Sequence, residues 1–126
     1  MSLRAGRRAL TPDRIRPGSA TADRPARHER AVIDDAALEA ARHADRLLDA
    51  AREQDIERWV TFLEPIPGHL RDDDLRQLPG TARRARAAYG PKDSIRDVLS
   101  PEVTEPFLDA LDRLIKTIAR EEVSGR

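Results

Sequence analysis

The chain contains no cysteine, and only four of its 126 residues are aromatic: Trp59, Phe62, Tyr89 and Phe107. Without cysteine there is no disulfide, no thiolate metal site and no cysteine nucleophile. A β-sandwich or β-barrel draws heavily on aromatic and β-branched residues, so their scarcity argues against both. No stretch approaches the ~20 apolar residues of a membrane-spanning helix. No apolar run follows the basic N-terminal residues, as a signal peptide would require, so we expect a cytoplasmic protein.

Helix-favouring residues make up most of what is present. Alanine, leucine, arginine, glutamate and aspartate dominate the composition, and this balance favours helices. A chain of 126 residues has the length of one domain with one core. Hydrophobic residues make up 39% and charged residues 37%, so that core is thin. The composition predicts an all-α fold, a small bundle of four to five helices with a disordered basic N-terminal arm.

Charge is distributed unevenly along a chain whose formal net charge is zero. Residues 1–27 carry seven arginines against two aspartates, a net charge of +5, whereas residues 28–80 carry −6 and residues 81–126 carry +1. The first segment also contains three prolines and almost no large apolar side chains, a composition that does not offset its ordering entropy. We therefore predict a disordered arm over residues 1–27, a helical domain over residues 28–122 and a flexible tail over residues 123–126.

Apolar residues recur at three- and four-residue steps in two long segments. Over about residues 28–54 the repeat is rich in alanine, which indicates a closely packed neighbouring helix. A second amphipathic segment begins with Pro101 in the first helical position and runs to about residue 122. Pro106 lies beyond the first turn of this segment. We expect either a kink at Pro106 or a new helix capped by Thr104.

A short helix is predicted over residues 55–63, with Asp55 as its cap. Trp59 belongs to the apolar stripe of this helix and is the largest apolar group in the chain, so we expect it in the core. Three consecutive aspartates, Asp72 to Asp74, follow. They could hold a divalent cation, but carboxylates also accept backbone N–H bonds at a helix N-terminus. The capping role is favoured because Leu75 comes directly after them.

Proline–glycine pairs divide the centre of the chain. Pro67-Gly68 and Pro79-Gly80 are interpreted as helix stops. Thr81 is then expected to cap a helix over residues 81–89, and Asp93 to cap a further turn. These short elements complete the predicted bundle.

Catalysis and metal binding have little support in the sequence. The histidines are His28, His43 and His69, and none falls in a recognised metal or nucleophile motif. Glu39 and His43 lie four residues apart and would share a helix face, which suits a metal pair. A half-exposed histidine among charges is the favoured interpretation. We therefore predict no catalytic residue, no metal site and no bound cofactor.

One basic segment suggests a binding role. Arg83, Arg84 and Arg86 lie close together in the predicted helix over residues 81–89. A basic helix of this kind can lie against phosphates. It can equally pair with the acidic residues of the segment 28–80, and this intramolecular interpretation is favoured because that segment has excess negative charge. The three arginines are thus candidate contacts for a protein partner or for nucleic acid.

Two classes of function fit these features. The first is a non-enzymatic regulatory or adaptor protein that acts by protein–protein contact, which the lack of a catalytic motif supports. The second is a nucleic-acid-binding regulator that uses the basic arm and the Arg83–Arg86 helix. Domains that bind nucleic acid by charge usually carry a basic excess, whereas this chain is neutral, and its arm has no aromatic residue for base stacking. The sequence therefore favours a protein partner.

Overall fold

The structure is a computed structural model that describes residues 27 and 30–124. Its α-helices are α1 Ala31–Glu53, α2 Glu57–Leu63, α3 Ile66–Asp72, α4 Leu78–Arg86 and α5 Pro101–Ser124. Two 3₁₀ turns connect α4 to α5, at Ala87–Tyr89 and Ile95–Asp97. None of the described residues forms a β-strand, so the predicted all-α bundle is confirmed. The predicted arm, apart from Arg27, and the last two residues of the predicted tail lie outside the described residues.

The two long helices, α1 and α5, form the main interface of the bundle. They run antiparallel, since Arg30 before α1 faces Glu121 near the end of α5, while Glu39 faces Arg113. α1 also packs against α2 and α3, and α4 packs against α3 and α5. Across these described residues, no helix combines the length and apolar character that crossing a bilayer requires.

Small side chains on α1 determine how closely its neighbours approach. Its buried face consists mostly of alanine: Ala36, Ala37, Ala40, Ala41, Ala44 and Ala51. Interhelical distance depends on the side chains at the contact, and this alanine-rich face packs against α2, α3 and α5. Larger side chains from the other helices complete the core, among them Phe107, Leu63 and Leu70. Trp59 is 5% exposed, which confirms its predicted core position.

Proline begins two helices where the sequence analysis placed helix stops. Pro67-Gly68 lies in the first turn of α3, and Pro79-Gly80 lies in the first turn of α4. Proline lacks an N–H group, but the N–H groups of a first helical turn have no intrahelical acceptor in any case. Both predicted stops were therefore wrong, and α3 is a helix that the sequence pattern did not predict.

Three predicted caps were also wrong. Asp55 has a φ of 56° and turns the chain between α1 and α2 without capping α2, because a short polar side chain tolerates the left-handed region. Thr81 lies inside α4 and is buried. Ser94, one residue after the predicted Asp93, caps the second 3₁₀ turn, and Asp97 completes the capping box.

α5 continues through Pro106 as one helix, so the alternative of a new helix capped by Thr104 was wrong. Thr104 is 1% exposed and lies within the helix. The missing N–H of Pro106 deprives only the carbonyl four residues earlier, at Glu102. Glu102 is exposed in the first turn, where water can satisfy its carbonyl.

Candidate functional site

The three arginines singled out in the sequence lie on the outer face of α4. This helix buries one face in the core, and at about 100° per residue the remaining positions point away from it. Arg83, Arg84 and Arg86 are accordingly exposed. Their positions make them accessible to a partner molecule.

Among the described residues, only one of these arginines pairs with an acid. Arg86 Nε donates a hydrogen bond of 2.7 Å to Asp112 Oδ1 on α5. The intramolecular pairing favoured for all three thus holds for Arg86, and its acid lies outside the segment 28–80. The side chains of Arg83 and Arg84 form no hydrogen bond or ion pair with any other residue of the described chain. Within those residues, their guanidinium groups retain their full donor capacity.

A groove of about 310 Å³ lies between α4 and the last turns of α5. Its lining residues are Pro79, Arg83, Ile115, Ile118, Ala119 and Glu122. We call it the α4–α5 groove. Ile118 is buried and Ile115 is half-buried, so the floor is apolar. Arg83 and Glu122 are the charged groups of the lining.

Two further cations lie on the solvent side of α5. Lys116 and Arg120 are exposed, and neither forms an ion pair within the described residues. At about 100° per residue, Lys116 lies about 60° beyond Ala119 around α5, at the edge of the groove, whereas Arg120 lies about 100° beyond Ala119 and points away from it. The groove and its margin therefore combine two cations, Arg83 and Lys116, with one acid, Glu122. This excess favours negatively charged groups nearby.

A second, more open concavity of about 410 Å³ lies on the other side of Arg83. Its buried member is Tyr89, whose phenol donates a hydrogen bond to the backbone carbonyl of Thr104. Burial raises the pKa of Tyr89 above its ordinary value, and the nearby Glu105 carboxylate adds to this shift. Arg96 makes two hydrogen bonds of 2.8 Å to Glu105, which lower the pKa of Glu105 and raise that of Arg96. Arg86 and Tyr89 already have partners, and Arg83 is shared with the α4–α5 groove, so this concavity offers a ligand less than that groove.

The histidines are not gathered into a metal site in the part of the chain that the structure describes. His43 Nε2 lies 3.9 Å from Glu39, as their shared helix face predicted. The Glu39 carboxylate also accepts a hydrogen bond of 2.9 Å from Arg113. No group of three or more His, Cys, Asp or Glu side chains is placed to hold a metal ion among the described residues. His28 lies outside them.

Asp73 is the centre of a polar cluster that the sequence analysis missed. Asp73 is 8% exposed. Its carboxylate accepts a hydrogen bond from the Thr81 hydroxyl and lies 2.9 Å from His69 Nδ1. The carboxylate therefore lies between the imidazole and the hydroxyl, whereas activation of a nucleophile requires the hydroxyl against the imidazole. The cluster joins the end of α3 to α4, which is a structural role. The run of aspartates was the only signal of it in the sequence.

The predicted capping role is confirmed for Asp74 alone, because Asp72 lies in the last turn of α3 and Asp73 follows its end. Asp74 Oδ1 accepts hydrogen bonds of 2.9 and 3.0 Å from the backbone N–H groups of Arg76 and Gln77. These bonds stabilise the turn that leads into α4. Beyond the run of aspartates itself, nothing in the described residues supports the alternative of a cation site.

Arg27, which the sequence analysis assigned to the arm, contacts the helical domain. Its guanidinium donates hydrogen bonds to the backbone carbonyls of Leu70 and Asp73 at the C-terminal end of α3. Its Nε lies 2.8 Å from Asp34 Oδ1, but this N–H is not aligned for a hydrogen bond, so the contact is an ion pair. A cation at this position complements the last carbonyls of a helix, which lack intrahelical donors.

Comparison of the chain with protein-family models, with curated proteins and with solved structures finds no match. The sequence identified Arg83 but not the groove beside it, because Ile115 and Ile118 recur at the spacing of a buried stripe in the amphipathic segment that begins at Pro101. The half-buried state of Ile115 follows from how far α4 extends, which no local pattern encodes.

Proposed function

We propose that this chain is a non-enzymatic regulatory or adaptor protein that acts by protein–protein contact through the exposed face of α4. The observation that carries the proposal is the state of Arg83 and Arg84. Both are exposed and lack an acidic partner within the described residues, and Arg83 borders a groove with an apolar floor. Arginine is enriched at protein interfaces, which combine an apolar centre with a polar rim. Its guanidinium binds carboxylates in a bidentate manner.

Affinity capture with the full chain from the native host tests this proposal. The double variant Arg83→Ala/Arg84→Ala removes the two unpaired cations of α4. The matched control Arg42→Ala/Arg46→Ala removes two exposed cations of α1 that also lack ion pairs within the described residues. All four substitutions are on exposed helix positions, so stability should change by less than about 0.5 kcal/mol each.

The expected result is a protein captured equally well with and without nuclease treatment. Wild type and the control should retain it, and the Arg83→Ala/Arg84→Ala variant should lose it. Capture that resists loss of both arginines would contradict the proposal, because the exposed face of α4 would then not be the contact.

Nucleic-acid binding is the second candidate, and the same unpaired arginines favour it. Phosphate contacts by Arg83 and Arg84 would release counterions, so binding would weaken steeply with salt. The net charge of −6 on residues 28–80 opposes the approach of a polyanion. A titration of labelled DNA and RNA at about 150 mM salt decides between the two. Sub-micromolar binding that the Arg83→Ala/Arg84→Ala variant loses would replace the adaptor proposal.

A further inference from the structure

The α4–α5 groove has the dimensions of a helix-binding site. Its α5 lining residues, Ile115, Ile118, Ala119 and Glu122, recur at three- and four-residue steps, so the groove follows the axis of α5. From residue 115 to residue 122 this axis advances about 10 Å, or two helical turns. An amphipathic helix that lies in such a groove presents apolar anchors at positions i, i+3 or i+4, and i+7.

The charged side chains at the margin of the groove favour a bound molecule of negative charge. Arg83 on α4 and Lys116 on α5 are without acidic partners in the described part of the chain. Glu122 is the acid of the lining. Carboxylates beside the apolar anchors would meet unpaired cations, whereas a basic helix would meet like charge, which disfavours a wrong partner.

We infer that the α4–α5 groove binds an acidic amphipathic helix of a partner protein. This inference rests on the proposed function and adds to it the site and the chemistry of the partner. Ile115 and Ile118 would receive the apolar anchors, and Arg83 and Lys116 would receive the flanking carboxylates.

Charge also argues against two occupants that the chain itself could supply. Residues 1–26 carry six arginines against two aspartates, the same sign as the groove margin. A second copy would bring the same positive margin to a symmetric contact, because a two-fold interface places identical patches together. Nucleic acid would match the cations but leave the apolar floor without a contact.

Selection of a displayed peptide library for binding to the full chain tests the inference. The randomised peptides have about 15 residues, which is long enough to form a helix. Selected peptides should be enriched in Asp and Glu together with Leu, Ile and Phe, and they should become helical on binding. Ala119→Arg places a large cation in the groove at an exposed position. Gln54→Arg adds the same charge at the exposed end of α1 and is the matched control.

Ala119→Arg should lower peptide affinity at least about tenfold, and Gln54→Arg should leave it unchanged. Arg83→Ala should lower it about two- to fivefold at low salt, with the difference shrinking at high salt because exposed charges are screened. On the wild-type chain, the bound peptide should shift the backbone amide resonances of Ile115 and Ala119. This mapping needs no substitution and does not depend on how any variant folds.

Peptides rich in Arg and Lys, binders that tolerate Ala119→Arg, amide shifts away from α5, or no binders at all would each overturn the inference. Self-association that Ala119→Arg abolishes would assign the groove to a second copy and overturn it as well. Lysate capture that needs Arg83 and Arg84 but tolerates Ala119→Arg would refute the groove and leave the proposed function standing. Acidic peptides that need the groove, together with nuclease-sensitive lysate capture, would support the groove and refute the proposed function.

Discussion

Trp59→Ala is expected to be among the most destabilising single substitutions in the bundle. The indole is 5% exposed on the inner face of α2. Its ring centre lies 5.5 Å from that of Phe62 in an edge-to-face arrangement, and the Arg58 guanidinium lies 4.8 Å from its centre. Truncation to alanine would remove this packing and leave a cavity that the short helix α2 cannot fill.

The magnitude follows from the size of the side chain and of the domain. Truncating a buried tryptophan to alanine costs about 3–5 kcal/mol, including about 0.5–1.5 kcal/mol from the aromatic pair. A helical domain of about 95 residues has a free energy of unfolding of about 5–14 kcal/mol. The variant therefore loses a large fraction of its stability, which corresponds to a fall in Tm of between about 12 and 40 °C.

Urea unfolding followed by far-UV circular dichroism measures this loss, because the substitution removes the only tryptophan. The native wild-type chain should show a blue-shifted fluorescence maximum, as a buried indole requires. Val98→Ala is the control, since Val98 is 45% exposed and its truncation should cost less than about 0.5 kcal/mol. A loss below about 1 kcal/mol for Trp59→Ala, or a water-like emission maximum for the wild type, would refute the packing of α2 described above.

Three further outcomes are expected. Arg27→Ala should lower the free energy of unfolding by about 1–3 kcal/mol because two helix-end carbonyls lose a charged donor, and thermal melts should show a much smaller effect for Arg30→Ala, whose contact is longer. Asp73→Ala should cost about 1–3 kcal/mol by leaving the Thr81 hydroxyl buried and unpaired, so a urea double-mutant cycle with Thr81→Val should show a smaller cost for the pair than for the sum. The folded chain keeps the Tyr89 phenol protonated because its pKa is raised, whereas the unfolded chain ionises it near pH 10. Stability should therefore be retained below about pH 10 and fall above it, and urea unfolding of Tyr89→Phe should show a flatter dependence over that range.

Long amphipathic segments were predictable because their pattern repeats over many turns. The ranges 28–54 and 101–122 were assigned from that repeat, and α1 and α5 occupy Ala31–Glu53 and Pro101–Ser124. The short helices were not predictable in the same way. A proline–glycine pair such as Pro79-Gly80 can end one helix or lie in the first turn of the next. Tertiary packing decides which of the two structures forms.

The candidate site was predictable only in its exposed arginines. Their position between core residues of one helix follows from the helical repeat. Whether each arginine finds an acid depends on which residues of another helix lie opposite. Asp112 reaches Arg86 from 26 residues away along the chain, and the buried bond between Asp73 and Thr81 spans two helices. Contacts of this kind depend on the packing of α3, α4 and α5 and leave no local pattern.

The α4–α5 groove is a consequence of unequal helix lengths. α5 has 24 residues and α4 has nine, so at 1.5 Å per residue α5 is longer by about 20 Å. α4 begins just before Pro79, and its α-helical hydrogen bonding gives way to a 3₁₀ turn at Ala87. The short length of α4 limits how much of α5 it covers. α1 packs against another flank of α5, with Arg30 beside Glu121 and Glu39 beside Arg113. The last turns of α5 therefore keep Ile115 half-buried beside Arg83, and a second helix laid along this flank would extend the bundle in the direction that α4 leaves open.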